Sequence, residues 1–196
     1  MLFGDIIGSG GGAEEASRAR VWCAWRKFRE LAPILPSRGA SLKVKGKVYN
    51  ACVQCVMTYG SETWPMRVED LRRLERAEKM MIRWMCGVTL RNGKTCEEIR
   101  NRLGIVSVSD LVRQRRLRWF GHVERKDADD WVSACRNMAV SGERGRGRKT
   151  WKECVADDMR QLRLRQEDAH DRAVWRNGIG EPSNLCKRRN SPKYGC

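Results

Sequence analysis

"VEDLRRLERAEKMMIRWMCG", residues 68–87, decides the fold class. Leu74, Ala77, Met81 and Trp84 recur every three or four positions, the spacing that puts side chains on one face of an α-helix. Glu69 and Asp70 fall in the first turn, where the unpaired amides favour negative charge. Gly87 stands where a left-handed residue would close the helix.

Working outward, the same period continues almost throughout. On the N-terminal side, Ser41 is expected to cap a helix running to about Thr58. Its apolar stripe reads Val48, Tyr49, Cys52, Cys55, Val56 and Tyr59, with Gly60 as the stop. Gly46 inside it costs roughly 1 kcal/mol relative to alanine. Ser17 is expected to cap an earlier helix to about Ala32, with Val21, Trp25, Phe28 and Ala32 on one face and Pro33 ending it. The turn-rich "APILPSRG" at 32–39 links the two.

On the C-terminal side, "TCEE" at 95–98 fits a capping box, in which Thr95 and Glu98 satisfy each other's end amides before a short helix stopped by Gly104. Ser107 or Ser109 then opens a helix that carries "QRRLRWFGHVERK" at 114–126. "DDWVSACRNMAV" at 129–140 is a short helix. "TWKE" at 150–153 is a second capping box, starting a helix with Trp151, Val155, Met159 and Leu162 on one side. A last helix spans about Gln166 to Ile179 and contains Trp175. The expected fold is therefore mainly α. Its one candidate strand, "LFGDII" at 2–7, is an orphan with nothing to pair against. Residues 181–196 are expected to form an unstructured basic tail.

The 196 residues carry 40 Lys and Arg against 24 Asp and Glu, a formal net charge of +16. A field of that sign and size favours a polyanionic partner, of which nucleic acid is the commonest. No apolar run approaches the ~20 residues of a membrane span, and the first residues make a poor signal peptide. These features suggest an intracellular protein, in the nucleus or the cytoplasm. Nine cysteines scattered through helical patterns suit reduced thiols rather than a disulfide framework.

Catalytic and metal chemistry finds little support. Asp157 and Asp158 in "VADD" superficially match the paired aspartates of reverse transcriptases. They lie in an amphipathic helix, point about 100° apart, and lack the preceding aromatic. Asp158 falls on the apolar side and is expected to meet an arginine. "DADD" at 127–130 reads as a helix cap. Cys52 and Cys55 have zinc-like spacing but no second ligand pair, so they read as core thiols. His122 and His170 stand alone, and "GSGGG" at 8–12 lacks the lysine of a phosphate loop. An enzyme of another class is the least favoured reading, because no convergent acid, base or nucleophile set is present.

Positive charge is the stronger signal. In the 114–126 stretch, Leu117 and Phe120 occupy one sector of the helix, while Trp119 joins Val108, Leu111 and Val112 in another. The helix is thus expected to pack on more than one side, with its arginines extending their heads past apolar stems. Arg113, Arg115, Arg116 and Arg118 form one candidate phosphate-contacting group. Arg144, Arg146, Arg148 and Lys149 in the glycine-rich "RGRGRK" form a second. Lys43, Lys45 and Lys47 form a third.

The order of these motifs carries a resemblance. "KVYNACVQCVMTYGSETWPMRVEDLRRLERAEKMMIRWMCGV" (47–88), "RLRWFGHVERKDADDW" (116–131), "RGRGRKTWKECVADDMRQLRL" (144–164) and "DRAVWRNGI" (171–179) follow one another as they do past the palm of many non-LTR retrotransposon endonuclease–reverse transcriptases. The chain resembles the thumb and post-thumb portion of such an enzyme. The resemblance implies a palm-edge strand and turn at 1–16, a thumb-like helical domain at 17–92, and a basic domain of short helices at 93–180.

The parent activity it implies is RNA-directed DNA polymerisation with Mg²⁺. The catalytic aspartates of that family have no counterpart in this chain, so the chain alone is expected to be inactive and to need no cofactor. Its implied partners are RNA, DNA or an RNA–DNA hybrid gripped through phosphates, and the palm and fingers of the parent polymerase. A non-enzymatic protein-interaction module and an inert transposon remnant are the alternatives.

Overall fold

A computed structural model describes residues 13–127, 130–132 and 149–180. The candidate strand at 2–7, the turn at 8–12, Arg144, Arg146, Arg148 and the tail at 181–196 lie outside the described residues, as does most of the 129–140 helix. Among the described residues the chain is α-helical, with no strand.

The helices are α1 (Glu14–Glu30), α2 (Leu42–Val48), α3 (Cys55–Met57), α4 (Val68–Cys86), α5 (Cys96–Leu103), α6 (Val108–Glu124), α7 (Trp151–Leu162) and α8 (Arg172–Ile179). A π-helical segment, Tyr49–Gln54, joins α2 to α3 without a break.

Local signals set most of the ends. Thr95 and Glu98 cap α5 reciprocally, and Thr150 and Glu153 cap α7 in the same way. Ser107, not Ser109, caps α6 by accepting from the Asp110 amide. Gly87 and Gly104 adopt the left-handed conformation, with φ of 61° and 68°. Asp130 accepts from the Val132 amide at 2.9 Å, as the cap reading of 127–130 requires.

Three expectations need correction. Ser17 does not cap α1, which begins three residues earlier at Glu14. Its hydroxyl is buried, donates to the Glu14 carbonyl and to Asp70 Oδ1, and accepts from Arg73 of α4. The stripe read for 41–58 is also shifted. The buried positions are Tyr49, Val53, Gln54, Met57 and Thr58, while Cys55 and Tyr59 are exposed and Cys52 is only half-buried. The π segment is the cause, because wider turns advance the inward face by one residue relative to an α-helix. Cys52 and Cys55 are therefore not core thiols. Finally, the helix expected over 166–179 is split into a 3₁₀ turn at Glu167–Ala169 and α8, which Asp171 caps.

The buried apolar side chains form two clusters. The larger joins α1 to α5 and the start of α6, and includes Phe28, Tyr49, Met81, Leu103 and Val112. The smaller joins the rest of α6 to α7 and α8, through Leu117, Phe120, Val155, Trp175 and Ile179. The α6 helix thus belongs to both. Within 114–126, Leu117 and Phe120 serve the smaller cluster, while Trp119, expected to pack beside Val108, Leu111 and Val112, is instead 37% exposed with its ring 5.5 Å from His122.

Two glycines permit this packing. Gly46 brings α2 against the end of α5, where a Cβ would lie 1.9 Å from the Leu103 carbonyl oxygen. Gly121 lets the Trp175 indole sit on α6, where its Nε1–H donates to the Leu117 carbonyl at 2.9 Å.

At the centre of the larger cluster sits Glu78, 1% exposed. It accepts from the Val108 amide (3.0 Å), from Gln54 Nε2 (3.3 Å) and from Arg100 (3.2 Å). Burial pushes its pKa up to about 7, against the opposing pull of Arg100. A carboxyl whose folded pKa exceeds the unfolded value stabilises the fold fully below the unfolded pKa, and that contribution is lost as pH rises through the folded one. Between pH 5 and pH 7 this group should remove roughly 2 kcal/mol of stability. Urea midpoints measured across that range should fall for the native chain, and Glu78→Gln should flatten the fall by that amount. Parallel curves for the two proteins would contradict the assignment.

Candidate nucleic-acid interface

The structure separates the sequence-predicted cations into two kinds. Arg116 is 6% exposed, and its Nη1 donates to Asp158 Oδ2 at 2.7 Å. Arg113, partly buried beside it, pairs with Asp110 at 2.8 Å and lies 3.6 Å from Asp158. Burial raises the Asp158 pKa, while Arg116 and Arg113 hold it down. Arg115 donates to the Thr58 carbonyl at 3.0 Å and lies 3.6 Å from Glu62. These three arginines form a polar belt where α6 meets α7 and the 58–66 turn. Trp151 completes the belt by donating to the Glu62 carbonyl at 2.7 Å.

Lys45 is also committed inward. It is 5% exposed and its Nζ donates to the Met85 carbonyl at the end of α4, at 3.1 Å. Lys149 is half-exposed and paired with Asp157 at 2.6 Å, a contact that raises the lysine pKa and lowers that of the aspartate. Asp157 and Asp158 thus face different partners, as adjacent residues on one helix must.

Arg118, Lys43 and Lys47 remain exposed, and none of them is in an ion pair among the described residues. Lys43 and Lys47 are one turn apart on α2, which packs on α5. The exposed Lys94 and Arg102, together with Lys45, are close enough to the Cys86 thiol for their charges to oppose the rise that burial imposes on its pKa. Lys45 of α2, Lys94 of the 93–95 turn and Arg102 of α5 thus all act on this thiol at the C-terminal end of α4.

Sequence reading missed Lys94 and Arg102. They lie roughly fifty to sixty residues from Lys45 along the chain, and no local pattern marks their approach to the same thiol. Each exposed cation can neutralise a phosphate. Among the described residues, no group of three or more His, Cys, Asp or Glu side chains is placed to hold a metal ion. None of the described helices is long and apolar enough to cross a membrane.

No known protein-family pattern matches the chain, and no solved structure matches it. Over 120 residues it is 24% identical to a transposon-derived protein of Caenorhabditis elegans. The match covers 59% of this chain and 42% of that relative. The sequence similarity therefore connects this helical chain to transposon-derived proteins.

Proposed function

We propose that the chain is the nucleic-acid-gripping, thumb and post-thumb portion of a non-LTR retrotransposon reverse transcriptase. It would hold a template–primer duplex by its phosphates and perform no chemistry of its own. One observation carries this reading: Lys43, Lys47, Lys94, Arg102 and Arg118 stay in solvent, on a fold that commits other cations to internal partners. Arg144, Arg146, Arg148 and Lys149 extend the proposed grip. The motif order from 47 to 179 and the transposon-derived relative agree with it. In this reading Mg²⁺ belongs to the polymerase palm, and this chain requires none.

Binding should be driven by counterion release. The affinity for a labelled RNA–DNA hybrid should fall steeply with salt, with log K linear in log [salt]. The double change Lys43→Ala/Lys47→Ala should reduce that slope by about 2 and weaken binding without regard to sequence. Fluorescence anisotropy across a salt series measures both. A salt-independent affinity, or a slope untouched by the double change, would reject the reading.

A further inference from the structure

The outward face of α1 presents a different kind of surface. Arg18, Trp22 and Arg26 succeed one another at four-residue intervals, so they share one side of the helix. With Val21, Trp25, Arg29 and Glu30 they line an open groove of about 680 Å³. Trp25 forms its inner wall, with its ring 5.7 Å from Phe28 and 6.3 Å from Trp84; Phe28 is fully buried. Trp22 is 61% exposed and makes no ring contact among the described residues.

Beside the half-buried Val21 and Trp25, the exposed Trp22 extends an apolar surface into water that a partner could cover. The charges around it say which kind. Among the described residues, Arg18 and Arg26 pair with the exposed Glu14 and Glu30, at 2.6 and 3.5 Å. Exposed pairs of this kind are weak and exchange readily for another anion. Arg29 has no ion pair among the described residues. The centre of the groove is thus a flat aromatic face flanked by guanidinium groups.

We infer that this face is a stacking platform for unpaired nucleic acid, with a base on the Trp22 ring and phosphates on Arg18, Arg26 and Arg29. A duplex cannot offer that contact, because its base faces are already stacked, whereas a single strand supplies both a free π-face and the anions. The inference rests on the nucleic-acid reading above. It adds a second surface and a preference for single strands that the cations of α2 and α5 do not confer.

The test compares the full chain with Trp22→Ala and Trp22→Phe against three probes: a short oligothymidylate, a hybrid duplex, and heparin, a polyanion without bases. Trp22→Ala should weaken oligothymidylate binding roughly tenfold. Duplex and heparin binding should stay unchanged, and Trp22→Phe should keep most of the single-strand affinity. Unaltered circular dichroism is expected, because the side chain is exposed. Equal losses on all three probes, or no loss on the oligonucleotide, would overturn the platform. So would Trp22-dependent binding of an acidic, leucine-bearing peptide with no Trp22 effect on the oligonucleotide. If the native chain bound neither duplex nor heparin, the broader gripping function would fail as well.

Discussion

Asp158→Ala should destabilise the chain by about 3–5 kcal/mol, the cost of leaving a buried charge without its partner. The Arg116 guanidinium is 6% exposed and meets Asp158 at 2.7 Å, with Arg113 3.6 Å away on the other carboxylate oxygen. Removing the carboxylate strands Arg116 where α6 meets α7, while Arg113 keeps its pair with Asp110. Arg116, 6% exposed, has no ready route to water. Asp157→Ala, one residue earlier, is the control: that side chain meets Lys149 and Arg160 near solvent and should change stability little. Urea denaturation of both variants measures the difference, and a double-mutant cycle with Arg116→Met should recover much of the loss. Equal effects at 157 and 158 would show that the pair is not the structural element described above. The contrast also bears on the resemblance of "VADD" to a metal-binding aspartate pair. Two carboxylates that differ this much in burial and partners do not act as one chelate.

Gly46→Ala should cost about 3 kcal/mol, the upper part of the range for overpacking. The added methyl would meet backbone, the Leu103 carbonyl oxygen at 1.9 Å and its carbon at 2.8 Å, so no rotamer change can relieve it. Either α2 or the end of α5 must move, and both contribute to the larger core. Helix propensity alone argues the opposite sign, since alanine is the better helix former by roughly 1 kcal/mol. The experiment therefore sets packing against propensity at one residue. Gly39→Ala serves as the comparison, because a Cβ there meets nothing within 4 Å, and it should leave stability unchanged or slightly raised. A lower thermal midpoint for Gly46→Ala and none for Gly39→Ala is the expected result. A stabilised Gly46→Ala would mean that α2 does not lie against α5 as described.

The residues whose role departs from the local pattern share one property. Ser17 carries the chemistry of a cap, yet a buried aspartate and an arginine 53 and 56 residues away claim its hydroxyl. Cys52 and Cys55 fall on the stripe that a 3.6-residue period predicts, and a six-residue π segment moves the inward face off them. Glu78 looks like one charge among many on an amphipathic helix. Its role as a buried acceptor appears only once Gln54, Arg100 and Val108 are brought around it. Within the candidate interface, the sequence pointed to cations but could not sort them. Arg116 and Arg118 are two residues apart, and one is a buried ion-pair partner while the other is exposed.

By itself the sequence determined the helical class, the capping residues at 95 and 150, the glycine stops at 87 and 104, and the cationic excess. Those features depend on neighbours within about one turn, or on composition alone. Tertiary structure decided which glycines are steric necessities, which arginines and lysines are spent inside, and which stay in solvent. Such outcomes depend on distances between residues remote in the chain. Hydrophobic burial brings those residues together, and no local pattern encodes the partner each will find.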